Sequence, residues 1–183
     1  MQPAIQNNLL KKVVIIGPES TGKSTLCKQL ADHFHTQWVP EYAREYLLKN
    51  GPRYTYEDLL AIAKGQLALE DAYTQMQHTK ASPYLFIDTD MYVMKVWSEF
   101  VYGKCHDFIL QQIASRKYDL YLLCKTDLPW VKDELREYPE LETREKLYEK
   151  YKNILKKQTT PCVEIKGDYD GRLQTAIEVV KSL

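Results

Sequence analysis

One octapeptide constrains this chain more than any other stretch: Gly17-Pro18-Glu19-Ser20-Thr21-Gly22-Lys23-Ser24, a full match to G-x-x-x-x-G-K-[ST]. It ends residues 12–17 (KVVIIG), a β-branched run, and precedes Leu26, Cys27, Leu30, Ala31 and Phe34, which recur at helical spacing. Strand, tight loop and helix in that order are the context in which the motif has a physical meaning. Glycines at both ends let the backbone curl until successive N–H groups face one centre, and the helix adds the positive end of its dipole. Such a nest cradles phosphates. Gly17, Glu19, Ser20, Thr21, Gly22, Lys23, Ser24 and Thr25 are therefore the expected ATP-binding residues, with Lys23 reaching the β/γ-phosphates and the Ser24 hydroxyl holding Mg²⁺. The competing reading is a glycine-rich turn that closes a βα unit without a ligand; the matched strand and helix speak against it.

The rest of the chain alternates between two periods. Residues 37–40 read as a brief second strand, and residues 43–50 as a helix stopped by Gly51-Pro52. Residues 55–79 carry a long helical pattern with Leu59, Ile62, Ala63 and Leu67 on one face. YLFID (84–88) and DLYLLC (119–124) are apolar runs of the kind a parallel sheet buries on both faces, and residues 162–165 form a fifth short strand. Leu147, Tyr148, Tyr151, Ile154 and Leu155 mark one late helix; Leu173, Ala176, Ile177 and Val180 mark the last. This alternation predicts right-handed βαβ units, an α/β fold of three layers with a parallel sheet between helices. A chain of 183 residues can bury one substantial core, so a single domain over residues 1–183 is expected. Residues 129–139, rich in charge and framed by Pro129 and Pro139, are the candidate mobile element.

Charge narrows the partners. Lys plus Arg and Asp plus Glu number 25 each, so no broad basic field exists to hold nucleic acid or an anionic membrane, and an anion site must be local. Cys27, Cys105, Cys124 and Cys162 lack the paired spacing of a zinc clip, and neither a membrane-length apolar run nor an apolar signal segment in residues 1–12 is found. The expectation is a cytoplasmic protein with reduced thiols that acts on a small molecule, with no nucleic-acid or membrane partner.

Several reactions begin from a bound triphosphate. LCKTD (123–127) is close to the strand-plus-Asn-Lys-x-Asp element with which GTP-binding switches read guanine, but Cys124 stands in place of the asparagine, and Met91 stands where Asp-x-x-Gly needs glycine. A kinase for a small hydroxyl-bearing acceptor fits better, and needs an acid for the hydroxyl, cations for the migrating phosphoryl group and a lid against water. Asp88, ending its strand, is placed to support Mg²⁺ or to cap the next helix; Asp90 is then left for the cap, the substrate or structure. Glu41 is the candidate base, and Arg44, one turn on, the candidate phosphate or substrate clamp; a surface i, i+3 ion pair is the plain alternative. Residues 130–139 (WVKDELREYP) read either as the lid, with Arg136 on the phosphoryl group and Asp133 on acceptor hydroxyls, or as a solvated charged helix. A third class remains, an ATP-dependent switch acting through a protein partner.

Four motifs in order resemble a known family. Gly-x-Glu-Ser-x-Gly-Lys-Ser, Glu-Tyr-Ala-Arg-Glu (41–45), Phe-Ile-Asp-Thr-Asp (86–90) and Asp-Leu-Pro-Trp-Val-x-Asp-x-x-Arg (127–136) are similar to the ribosylnicotinamide kinase domain of NadR-type proteins, over nearly the whole chain. The resemblance implies a five-stranded parallel sheet of the nucleoside/nucleotide-kinase type and transfer of phosphate from ATP to nicotinamide riboside in NAD biosynthesis. It implies that Glu41 and Arg44 face the acceptor, that Asp88 lies near Mg²⁺, that Asp133 and Arg136 belong to the lid, and that Asp168 and Tyr169 pass the adenine. A pyridinium acceptor needs an aromatic wall, for which Trp38, Tyr42, Trp97 and Trp130 are candidates, Tyr42 and Trp97 foremost. The chain departs from the family at Asp133-Glu134, where the lid usually reads Asp-Gly.

Overall fold

The computed structural model describes residues 9–77 and 80–183. Five strands, β1 (Lys11–Ile16), β2 (Trp38–Val39), β3 (Tyr84–Asp88), β4 (Leu120–Cys124) and β5 (Cys162–Ile165), form one sheet in the order β2-β3-β1-β4-β5, every neighbouring pair parallel. Around it run α1 (Lys23–His33), α2 (Tyr42–Asn50), α3 (Tyr56–Gln77), α4 (Met91–Tyr102), α5 (Asp107–Ser115), α6 (Leu141–Leu155) and α7 (Tyr169–Lys181). The expected three-layer α/β architecture with five parallel strands is present. The final two residues of the helix expected over 55–79, and residues 1–8 of the segment read for a signal, lie outside the described residues.

Both faces of the sheet are covered, which is why its strands read as continuous apolar runs instead of alternating ones. Val13, Val14, Ile15 and Ile16 are all fully buried. Val13 and Ile15 pack with Phe86, Leu120 and Leu122 against α1 and α7; Val14 and Ile16 pack with Ile87, Tyr121 and Leu123 against α4 and α6. Each such aliphatic side chain contributes about 1.5–3 kcal/mol when withdrawn from water. A smaller cluster, Leu59, Ile62, Met91, Met94 and Ile109, joins α3, α4 and α5.

The register brings the chemistry to one edge. Ile15 pairs with Asp88 on one side and Leu122 on the other, so the loops leaving β1, β3 and β4 emerge together at their carboxyl ends, where doubly wound sheets bind ligands. Among the described residues no helix is long and apolar enough to cross a membrane.

Gly65 sits inside α3, where glycine costs about 1 kcal/mol relative to alanine. Its place is explained by packing: a methyl group there would fall 2.0 Å from Tyr42 Cε1, so α2 approaches α3 through the missing side chain. Gly65→Ala is accordingly expected to lower the unfolding free energy by about 1–3 kcal/mol despite its better helix propensity, read as a reduced midpoint in urea. A midpoint at or above that of the parent would show that the Tyr42 contact does not constrain the helix pair.

Candidate active site

The loop from Gly17 to Gly22 is shaped by three positive φ angles, 145° at Gly17, 55° at Ser20 and 77° at Gly22. A side chain at Gly17 would press to 2.7 Å from the Cys124 carbonyl oxygen, so the loop lies directly on the end of β4. Thr21 Oγ1 donates to Pro18 O at 2.8 Å, and Lys23 Nζ donates to the same carbonyl at 2.8 Å, which closes the curl from within. Arg172 of α7, buried and absent from the sequence expectations, ties this loop to its surroundings. It donates to Thr21 O (2.9 Å), Lys125 O (3.1 Å) and Gly167 O (2.7 Å), and it pairs with Asp127 Oδ1. Asp127 Oδ2 accepts from Gly167 N at 2.7 Å. Both oxygens of the would-be guanine reader thus already bond within the fold.

Facing the loop, Ser24 Oγ donates to Asp88 Oδ2. Asp88 is fully buried, and its Oδ1 has no hydrogen-bond partner. Burial pushes its carboxyl up, Glu41 pushes in the same direction, and Lys23 pulls the other way. Thr89 follows with φ 78°, a conformation that a β-branched residue adopts only when its surroundings impose it. Thr89 Oγ1 points to Glu41 Oε1 at 3.5 Å. Glu41 itself stands at the N-cap of α2, held there by Gln66, whose Oε1 accepts from Tyr42 N (2.7 Å) and whose Nε2 donates to Pro40 O (3.2 Å).

Ser24 and Glu41 line a cavity of about 330 Å³ between α2, α4, α6 and residues 133–138, with Asp88 buried behind Ser24 and outside the lining. Its polar end holds every expected ATP-binding residue of the loop, from Gly17 to Thr25, with Glu41 and Arg44. Its other walls are apolar and aromatic: Val93, Val96, Trp97, Phe100, Leu147 and Tyr151. Residues 129–139 form a non-helical arch over it, so the charged-helix alternative does not hold. Arg44 clasps Asp133 through two bonds of 3.2 and 3.1 Å, a pair across the cavity mouth in place of an i, i+3 pair along α2. Arg136 lines the cavity and donates to Val131 O.

Four candidate acceptor-side residues, Trp38, Tyr42, Asp90 and Trp130, lie outside the cavity lining, Trp38 packing against the core cluster of α1 and α7. Tyr42 lies on the far side of α2 against Gly65, outside the cavity lining. Asp90 is the N-cap of α4: its Oδ1 accepts from Tyr92 N (2.9 Å) and Val93 N (3.3 Å), and its Oδ2 accepts from Tyr121 OH (2.9 Å). With both oxygens engaged and 1% exposure, it has no route to a substrate. Trp130 gives its indole N–H to Glu19 Oε1 at 3.1 Å instead of lining the cavity. Asp168 caps α7 through Gly171 N, and Tyr169 stands exposed behind Gly22, where an added methyl group would be 3.4 Å from its Cε1. Conversely, Tyr54 and Glu137 line the cavity without having been expected: Tyr54 OH accepts from Trp97 Nε1 (2.9 Å) and donates to Glu137 Oε2 (2.8 Å). Tyr54 sits in the connector after Gly51-Pro52, and in a chain with 14 tyrosines no spacing singles it out.

Comparison with known proteins gives a consistent picture. The sequence family described as AAA domain (AAA_28) matches residues 12–172. The trifunctional NAD biosynthesis/regulator protein NadR of Salmonella typhimurium is 30% identical over 181 residues, covering 95% of this chain. The chain spans 43% of that relative's length. In structure, a NadR protein in complex with NR superposes with TM-score 0.79 at 24% identity, over 95% of this chain and 49% of that one. Deoxyadenosine kinase from M. mycoides superposes with TM-score 0.61 at 12% identity, over 94% of this chain and all of that one. The fold is that of the P-loop nucleoside and nucleotide kinases.

The buried cap has a measurable consequence. Burial pushes the Asp90 carboxyl up to about 7, against the pull of Tyr121 and two backbone amides, whereas an aspartate in an unfolded chain titrates near ~3.9. Across that interval the folded protein keeps a proton that the unfolded chain releases; the stability it confers is complete below the lower value and is lost as pH rises through the upper one. Between about pH 5 and about pH 8 the melting temperature is expected to fall more steeply in the parent than in Asp90→Asn, which keeps the cap acceptor without the charge. Equal slopes would mean that Asp90 is ionised throughout.

Proposed function

The chain belongs to the AAA domain family AAA_28, and from the geometry of its site together with the NadR likeness we propose that it is a cytoplasmic kinase that transfers the terminal phosphoryl group of ATP to nicotinamide riboside, giving nicotinamide mononucleotide. One observation carries the reading: the phosphate loop, an acid placed beside it and an aromatic wall share a single cavity under an arch of chain. The NadR likeness supports the acceptor, since a protein of that name binds NR and the curated relative is described as acting in NAD biosynthesis.

Each residue then has a task that its position allows. The loop amides and Lys23 take the β/γ-phosphates. Mg²⁺ suits the hard oxygens of Ser24 and Asp88, whose Oδ1 is buried without a partner. Among the described residues no group of three His, Cys, Asp or Glu could cage a metal, so phosphate and water would complete its shell, as Mg²⁺ prefers. When bound, that ion neutralises charge developing on the phosphoryl oxygens. Glu41, at the cavity's polar end, orients the acceptor hydroxyl and receives its proton. Phosphoryl transfer through a loose transition state needs positioning more than strong base catalysis, and the hold of Gln66 on the α2 entry serves that end. Arg44 and Arg136 bring positive charge to the transferring group. Trp97, with its N–H anchored on Tyr54, presents a ring to the pyridinium, and Glu137 adds a negative charge nearby. Tyr42, sequestered against Gly65, takes no part in that wall.

A second acceptor class, a plain nucleoside, is favoured by the likeness in fold to deoxyadenosine kinase. Release of ADP from ATP·Mg²⁺ is expected to rise sharply with nicotinamide riboside and much less with uncharged nucleosides. Preference for an uncharged nucleoside would move the assignment to that class, and a rate that no acceptor changes would defeat the kinase reading. Lys23→Ala is expected to lower kcat by about a hundredfold or more. Glu41→Gln is expected to lower kcat by about tenfold or more while leaving the KM for ATP within about threefold. Normal turnover in both variants would remove the mechanism.

A further inference from the structure

Glu19 presents a difficulty for a phosphate-binding loop, because a carboxylate directed at phosphate would repel it. The structure turns it outward. Its Oε1 accepts from Trp130 Nε1 (3.1 Å) and Tyr138 N (2.8 Å), and its Oε2 accepts from Glu137 N (2.9 Å). Beside it, Ser20, in a left-handed conformation at φ 55°, accepts from Val131 N at 2.9 Å through Oγ. The two feet of the arch, residues 130–131 and 137–138, therefore both stand on two adjacent residues of the phosphate loop. The segment between them contains no helix or strand. Its own bonds are few: Arg136 closes it onto Val131 O through its side chain and donates its amide to Asp133 O at 3.2 Å, and Asp133 Oδ1 accepts from Leu135 N at 3.1 Å. On the acceptor side it is held separately, by Arg44 to Asp133 and by Tyr54 to Glu137.

We infer that Glu19 is a positioning residue for the lid and not a ligand of the nucleotide. It staples both feet of the lid to the phosphate loop, so the curl that phosphate requires of residues 17–22 is the same curl that sets the lid over the acceptor. The stapling stands on hydrogen-bond geometry alone. Its catalytic consequence, protection of the phosphoryl group from water until the acceptor hydroxyl takes it, rests on the kinase reading given above.

The test is hydrogen exchange followed by mass spectrometry of peptides covering residues 129–140, in the parent, Glu19→Ala and Glu19→Gln, beside binding of a fluorescent ADP analogue. In Glu19→Ala the amides of Glu137 and Tyr138 are expected to exchange about tenfold or more faster, while β1, β3 and β4 stay protected. Glu19→Gln, which keeps one acceptor oxygen, is expected to fall between. Affinity for the ADP analogue is expected to stay within about threefold of the parent, and acceptor-independent ADP release to rise about tenfold relative to acceptor-dependent release. Unchanged exchange in Glu19→Ala would overturn the inference, as would a loss of ADP affinity as large as that of Lys23→Ala. Should Glu19→Ala fail to fold, Trp130→Phe, which removes the indole donor while keeping an aromatic ring, is expected to loosen the same amides to a smaller degree; no loosening there would count equally against it. The exchange readout needs no acceptor. A parent enzyme that ignores nicotinamide riboside but whose lid still depends on Glu19 would cancel the acceptor assignment and leave the lid inference standing.

Discussion

Strand β1 is hydrogen-bonded along both edges, to β3 and to β4, and the distances within the active site follow from that double pairing. Because Ile15 is opposite Asp88, the turn that leaves β1 meets the carboxylate that ends β3 without any long-range adjustment. Because Ile16 is opposite Leu123, the start of the loop rests on the Cys124 carbonyl, and only glycine fits at position 17. A shift of one residue in either ladder would turn the side chains of β3 or β4 to the opposite face and remove Asp88 from Ser24. The full burial of Val13 to Ile16 on both faces makes such a shift costly, so hydrophobic packing secures the geometry on which the phosphate chemistry relies.

What the sequence disclosed follows the range of the interactions involved. The phosphate loop is local: eight consecutive residues carry both its shape and its ligand groups, and the structure places them together at one cavity end. Strand β3 was legible to the residue, since burial on both faces leaves a continuous apolar run; β5, an edge strand with Cys162 exposed and a glutamate at 164, was legible from its bounds without that signal. Residues whose place depends on tertiary contacts were not. Tyr42 follows Glu41 directly, yet α2 turns consecutive side chains about 100° apart and sends it to Gly65 instead of the cavity. Tyr54 and Arg172 reach the site from a connector and from the last helix, and neither carries a pattern that distinguishes it from other tyrosines and arginines. Residues 129–139 were expected as a mobile lid from their charge and framing prolines, while their lack of helix and their footing on Glu19 required coordinates.

The carboxylates gathered along this edge show how partners, more than proximity, divide the work. Asp90 faces a helix N-terminus and a tyrosine hydroxyl, is closed off from water, and acts as a structural cap. Asp88, two residues earlier, has one oxygen on Ser24 and the other free within the fold, the state of a group that still has a ligand to meet. Glu41 is turned to the cavity by a helix start that Gln66 fixes. Glu19 spends its charge on donors from the lid. Four acids of the same elementary chemistry are thereby separated into a cap, a candidate metal partner, a candidate orienting group and the proposed lid anchor. The separation is set by which donors each one meets before any substrate arrives, so the site is organised by its hydrogen bonds in advance of the reaction.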